Sequence, residues 1–451
     1  MATFAVVAAV VLLAASLPYW LPSVIVALRM RIFARINGNE GLTVPGKLVD
    51  ASKFRRVYGH PAADGRSRGA ALSDLFWYWL APGPEYHQEH LEPSDRYEDV
   101  ARTTRRFLAV PKPVATQLTT RCVSRVLAER PPRGIETVRL RDLMMPVWAE
   151  FYYELVFGEP CPRAARDLIV GNANDVVTAL KCCSLRHMAV RDRLTRYLLG
   201  RLAAGEVKHA LPVHLSTEGQ AFYLQGTFFN TAVVQMSEAM AHLLMVVAQH
   251  PEVQERLVAD PTDDDYLDRV INETFRLYPL FGIAHRITSA DIEVDEHTIP
   301  AGSVLCFNYP EYHRTGYDDP ERFDPSRWER LSPREAHHIP FGVTANRACP
   351  AQGLAPVTMR AALRELLRHK AFYSSAGHTR SIPNRGPCVL VARAFPVRPV
   401  GGRLVIMRLR DRWEDVWRSL VQLVLGTYMV WDARRKRLCG NYFATVDASA
   451  R

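Results

Sequence analysis

Pro340-Phe341-Gly342-Val343-Thr344-Ala345-Asn346-Arg347-Ala348-Cys349-Pro350-Ala351 places one cysteine just beyond a Phe-Gly loop, with an arginine two positions before it and a helical pattern after it. A thiolate held in such a loop can serve as an axial metal ligand that pushes electron density onto its partner. The planar fork of Arg347 suits a carboxylate, which it can engage through two parallel hydrogen bonds. Taken alone the stretch is only moderately specific. A lone cysteine in a loop is more often a buried structural thiol than a ligand.

Two other stretches change that balance. Glu273-Thr274-Phe275-Arg276 sets a carboxylate and a guanidinium three residues apart on one helical face, shortly before Pro279. Such a pair is ordinarily a solvated ornament of a helix. Asp319-Pro320-Glu321-Arg322-Phe323-Asp324-Pro325-Ser326-Arg327-Trp328 then precedes the cysteine loop. In this order and at these separations the three motifs closely resemble those of the cytochrome P-450 superfamily.

Further segments extend the resemblance. Ile299-Pro300-Ala301-Gly302 and Tyr312-His313-Arg314 are similar to a sheet segment of that family and the connection after it. Ala248 to Gln254 resembles the end of its long central helix, and Arg102 to Phe107 its arginine-bearing early helix, without the usual tryptophan. The resemblance implies a mainly α fold with a smaller β region around one haem b, preceded here by an N-terminal transmembrane helix. It makes Cys349 the axial ligand of the iron, with Phe341 in the cysteine loop. Arg347, Arg286 and one of Arg105 or Arg106 become partners of the haem propionates, and Glu273, Arg276 and Arg322 a buried ion network beneath the loop. The implied activity is that of a monooxygenase acting on a lipophilic small molecule. Its electrons would come from an NADPH-dependent flavoprotein reductase or a ferredoxin. Dehydration, isomerisation or peroxide-dependent chemistry on the same fold, or a non-catalytic haem protein, are the alternatives.

The sequence departs from the family pattern in two places. The cysteine loop carries Ala345 and Ala351 where glycines are usual, and one extra residue between Phe341 and Arg347. Alanine resists backbone conformations that glycine permits, so the loop is expected to take a different path. Second, counting 16 residues back from Pro251 lands on Gln235, preceded by Val234, where the family carries an acid–alcohol pair. Proton delivery is general acid catalysis and needs an ionisable or hydroxylic group. Valine cannot relay a proton, and glutamine does so poorly. Thr231, one turn earlier, has a hydroxyl that can substitute if the helix bulges.

Length and charge frame the remaining expectations. The 451 residues, 48% of them hydrophobic, can bury a large core. No charge occurs from Met1 to Leu28, after which come Arg29, Arg31 and Arg35. That run is long enough to span a bilayer, and the arginines after it favour a cytoplasmic body. The expected organisation is a single-pass anchor over 1–28, a basic and proline-containing linker over 29–50, a catalytic domain over 51–397 and a C-terminal extension over 398–451. Within that extension Trp413–Trp431 reads as an amphipathic helix. The least periodic segment, Gly59–Gly69, reads as a surface loop. Eight cysteines without a C-x-x-C pair argue against zinc. The formal charge of +10 is scattered and lacks a nucleic-acid-binding motif, so lipid and an acidic electron donor are the expected partners rather than nucleic acid.

Overall fold

A helix of 17 residues, Val233–Gln249, forms the axis of the molecule. Nearly all of its side chains are buried, which its composition permits because only Glu238 carries a formal charge. It continues without a break from Thr217–Leu224 through a π-helical stretch, Gln225–Ala232. In the computed structural model, which describes residues 2–38, 40–130, 134–393 and 400–449, the helix Leu140–Phe157 packs along this axis. Asp264–Leu277, carrying Glu273 and Arg276, and Ala355–His369, which follows the cysteine loop, lie beside it. These helices share one continuous apolar core.

Among the described residues, eight short strands make three small sheets. They are β1 (Leu42–Val44), β2 (Ile135–Arg139), β3 (Ile283–Ile287), β4 (Ile292–Val294), β5 (His297–Ile299), β6 (Val304–Asn308), β7 (Lys370–Tyr373) and β8 (Pro387–Ala392). The first sheet has the order β1-β6-β3, with β1 parallel to β6 and β3 antiparallel to it. Arg286 pairs with Leu305 in that register, and its side chain is buried. The order β2-β8-β7 is wholly antiparallel, and β4-β5 is a hairpin.

Three sequence expectations are corrected. The N-terminal helix runs on to Asn37, and Leu42–Val44 is a strand of the first sheet, so much of the expected basic and proline-containing linker over 29–50 is regular structure. Val44, the inward-facing residue of that strand, is buried in the core beside it. Gly59–Gly69 is not a surface loop, for Ala62, Ala63, Arg66 and Ser67 are buried. Gly65 bridges to Ile287 so closely that a β-carbon there would lie 2.8 Å from the Ile287 carbonyl oxygen. The C-terminal helix is longer than Trp413–Trp431, running Gly401–Lys436, and is followed by Leu438–Ser449. The expected boundary at 397/398 lies outside the described residues.

Candidate active site

Cys349 sits at the mouth of the helix that follows it. Its backbone N–H donates to the Phe341 carbonyl at 2.8 Å, closing the loop into a tight turn, and its carbonyl accepts from Gln352 N at 3.1 Å. Burial pushes the thiol pKa up, while an N–H from Ala351 to the sulfur works the other way. A bound metal would deprotonate such a thiol outright. The extra residue is absorbed outward, where Thr344 and Ala345 are exposed. The loop's left-handed positions fall on Gly342 (φ 77°) and on Arg347 (φ 52°). A non-glycine residue in that region costs on the order of 1 kcal/mol or more, and here the strained residue is the arginine itself.

Around the cysteine three guanidinium groups converge. Arg347 donates to the Leu91 carbonyl at 2.6 Å and lies 3.5 Å over the Tyr97 ring. Arg286 donates to Tyr58 Oη at 2.8 Å and to Glu89 Oε1 at 3.2 Å. Arg66, with 1% exposure, donates to Asn346 Oδ1 at 2.6 Å and lies 3.9 Å from Glu89. Three buried donor atoms of this group have no partner among the described residues: Nε and Nη1 of Arg66, and Nε of Arg286.

The haem that the sequence resemblance implies fits this arrangement. Three arginines and one carboxylate, Glu89, leave a surplus of two positive charges, which two propionates would balance. The orphaned guanidinium N–H groups supply donors that such carboxylates need, since buried polar groups are rarely left unpaired. Glu89 itself is pulled in two directions. Burial pushes its pKa up to about 7, opposed by the charge of Arg347.

A second wall of the site belongs to the π-helical stretch, joined to the cluster through His87. Such bulges lengthen the turn, displace side chains from the regular helical face, and occur frequently at functional sites. Thr231 lies in it, and its Oγ1 is 3.1 Å from His87 Nε2. The Glu89 backbone N–H donates to His87 Nδ1 at 3.2 Å. Burial lowers the His87 pKa to about 4, so the ring is neutral. With Nδ1 accepting, the proton resides on Nε2, a tautomer assigned from the hydrogen-bond network. His87 therefore donates to Thr231, which leaves the threonine hydroxyl hydrogen free to donate onward. Gln235, half-buried one turn further on, makes no side-chain hydrogen bond among the described residues. Tyr152 ties the two walls together: its ring lies 6.4 Å from Phe228 of the π stretch, and burial followed by the charge of Cys349 raises its pKa.

Beneath the cysteine loop, Glu273 is fully buried and accepts five hydrogen bonds. Arg276 gives two (2.8 and 2.9 Å), Arg327 one (2.9 Å), Trp328 Nε1 one (3.0 Å) and the Asp324 backbone one (3.0 Å). The second arginine of the network is thus Arg327. Arg322 is exposed and contributes only its carbonyl oxygen, accepting from Arg276 and Arg327. Burying a third long cation beside one carboxylate would leave it unneutralised, and the chain directs Arg322 to water instead.

Of the sequence-expected residues, the structure brings together Cys349, Phe341, Arg347 and Arg286. Arg105 and Arg106 are exposed on Asp95–Leu108 and make no ion pair among the described residues. Arg66, Tyr58, His87 and Glu89 were not singled out in the sequence. All four lie in irregular or very short elements, and only proximity in the folded chain marks them.

The sequence profile of the family described as Cytochrome P450 matches residues 215–393. Cytochrome P450 3A12 of Canis lupus familiaris is 32% identical over 156 residues, covering 30% of this chain and 31% of that protein. Cyclooctat-9-en-7-ol 5-monooxygenase of Streptomyces melanosporofaciens is 31% identical over 140 residues, covering 27% of this chain and 30% of that protein. The chain thus aligns with about a third of the length of these curated relatives. Among solved structures, retinoic acid bound cyanobacterial CYP120A1 superposes with a TM-score of 0.60 at 16% identity, covering 75% of this chain and 87% of that one. A 6-coordinated cytochrome P450 from Thermus thermophilus gives a TM-score of 0.59 at 18% identity, covering 75% and 90%. At these identities the structural likeness speaks for the fold.

Proposed function

Because the chain belongs to the cytochrome P450 superfamily, we propose that it is a haem-thiolate monooxygenase that inserts one oxygen atom from O2 into a lipophilic small molecule. The convergence of Arg66, Arg286 and Arg347 on the cysteine's surroundings carries this reading. A structural thiol has no need of three converging guanidinium groups, two of which, Arg66 and Arg286, are buried with unpartnered donors. Haem b, once bound, supplies the oxygen activation, driven by electron donation from the thiolate.

The chain's own groups do the rest. The three arginines would hold the propionates through charge-assisted bonds. Glu273, Arg276 and Arg327 brace the loop that presents the Cys349 sulfur. Thr231 Oγ1, accepting from the His87 Nε2–H, keeps its own hydroxyl hydrogen free and would serve as the proton-donating group of the site. Gln235 is kept nearby, in a position suited to orienting water rather than to supplying a proton. The rings of Tyr152 and Phe228 keep that space dry. Arg105 and Arg106, being exposed, suit the acidic face of a flavoprotein reductase or ferredoxin, and steering of this kind weakens with salt. Attachment to a membrane through the N-terminal apolar helix, with the body facing the cytoplasm, fits a lipophilic substrate.

The departure at Val234 and Gln235 favours a second reading, in which the same fold performs dehydration, isomerisation or peroxide-dependent chemistry. Turnover that requires an electron donor separates the first reading from the second. The first test concerns the ligand. The reduced carbon monoxide complex should show the red-shifted Soret band of thiolate ligation, and Cys349→Ser should abolish it. Retention of that band in the variant would remove Cys349 from its role.

A further inference from the structure

The N-terminal helix, Ala2–Asn37, does not leave the body as a free tether. It lies along the C-terminal helix Gly401–Lys436, and three contacts fix the relation. Arg412 donates to Tyr19 Oη at 2.6 Å, Arg29 donates to Gln422 Oε1 at 2.7 Å, and Phe33 closes on Gly426, where a β-carbon would lie 2.9 Å from the ring. The sequence offset is the same each time, since 412 − 19, 422 − 29 and 426 − 33 all equal 393. The two helices therefore run parallel and in step.

That register limits how a bilayer can be placed. Tyr19 is bonded to a guanidinium, and Pro18 shares a small cavity with Arg408, Asp411, Arg412, Asp415 and Arg418. A cluster of five charged side chains is not tolerated in the hydrocarbon without great cost. Within this sequence, the part of the helix clear of that cluster is Ala2–Leu17, about 24 Å long at 1.5 Å per residue, against a hydrocarbon thickness of about 30 Å. The C-terminal helix meanwhile carries its own apolar stripe. Trp413, Trp417, Leu420, Val424, Tyr428 and Trp431 recur at intervals of three and four, all exposed, with Trp417 at 70% and Val424 at 65%. The stripe extends over about 27 Å of helix, a length that a perpendicular N-terminal span would lift out of the membrane. Beside it, Tyr19, Trp20, Val24 and Leu28 are exposed on the partner helix. Arg31, Arg35, Arg403, Arg408 and Arg437 are exposed and have no carboxylate partner among the described residues, which suits anionic headgroups.

We propose that the two helices form a single membrane-binding face that lies along one leaflet of an anionic bilayer. The N-terminus then stays on the same side as the catalytic body, in place of the single-pass span the sequence alone implies. This rests on the membrane attachment proposed above and specifies its geometry. Interfacial binding of this kind scales with apolar area and with attraction to anionic lipid.

The full-length haem protein carrying Thr3→Cys should be bound to sealed vesicles of phosphatidylcholine and phosphatidylserine, then treated with a membrane-impermeant maleimide. Labelling above that of the parent protein should be complete before detergent is added. In parallel, Trp417→Glu combined with Val424→Glu should weaken vesicle binding about ten-fold or more, with the carbon monoxide spectrum unchanged. An introduced thiol that reacts only after detergent would overturn the proposal, because the N-terminus would have crossed. Unchanged affinity of the double variant would overturn it too, because the stripe would then not touch lipid. If the parent protein does not bind vesicles at all, the underlying membrane reading fails, and this geometry with it.

Discussion

Replacing Glu273 by glutamine removes one charge from a site where it is matched by two buried guanidinium groups, Arg276 and Arg327. Breaking a buried pair by removing one partner costs about 3–5 kcal/mol. Two features of the site place the expected value near the lower end. Arg276 keeps the Pro320 and Arg322 carbonyls as acceptors, at 2.7 and 3.1 Å, and Arg327 keeps the Asp318 carbonyl at 3.0 Å. Glutamine also retains one oxygen for Trp328 Nε1 or the Asp324 N–H. A loss of about 3 kcal/mol follows. With an unfolding entropy near 2.1 cal/mol/K per residue over the roughly 340 residues of the helical body, about 0.7 kcal/mol/K, the midpoint should fall by about 4 °C. The assay is thermal unfolding of the haem-loaded protein at one fixed scan rate, read by circular dichroism and by the Soret band. Arg322→Ala is the control and should shift the midpoint by no more than about 1 °C, because that side chain is exposed. The double variant Glu273→Gln/Arg276→Gln should cost less than the sum of its parts. A Glu273→Gln midpoint within about 1 °C of the parent, or an equal loss in Arg322→Ala, would refute the assignment of Arg327 rather than Arg322 to the network.

If His87 holds its proton toward Thr231, Thr231→Ala and His87→Ala should each raise the share of electrons released as hydrogen peroxide several-fold, while Gln235→Ala changes it less; equal coupling in all three and the parent would exclude the pair from proton delivery. Stability should fall as pH drops from about 6.5 towards 4. His87 and His285 are held near 4 and His242 and His313 near 3, each mainly by burial. A depressed histidine contributes stability that is complete above its unfolded value and lost as the unfolded chain takes up the extra proton. Glu89, raised to about 7, works in the opposite sense: its contribution is complete below its unfolded value of 4.5 and lost as pH rises towards 7. Four groups outweigh one, so urea midpoints should decline between about pH 6.5 and 4.5, and a flat profile there would contradict the buried, neutral state of these rings.

What could be read from the sequence was whatever chemistry is local. Glu273 and Arg276 are three residues apart, and one helical turn is enough to predict that they meet. Cys349 and Arg347 share a loop. The choice between Arg322 and Arg327 was not legible, because the two flank the same turn and only packing decides which is buried. Arg66, Glu89 and His87 were invisible for a different reason. Their partners Asn346, Arg286 and Thr231 are 280, 197 and 144 residues away, and neither propensity nor periodicity reports on contacts at that range. The apolar N-terminal run was correctly read as a long helix, but its extent as a span depended on charges contributed by Gly401–Lys436.

The stitch between Asn346 and the segment Gly59–Gly69 bears on how the molecule is made. Asn346 donates through Nδ2 to the carbonyls of Tyr58 and Ala63, both at 2.7 Å, and accepts from Arg66 through Oδ1. The cysteine loop is thus pinned to a part of the chain that leaves the ribosome some 280 residues earlier. Contacts of this sequence separation are slow to form, and domains are built from the N-terminus during synthesis. The early segment has to wait, with Arg66 unpaired, until the cysteine loop emerges. Cofactor capture is therefore expected to be a late event in biogenesis, and a nascent chain arrested before residue 346 should be unable to retain haem, however complete its central helix.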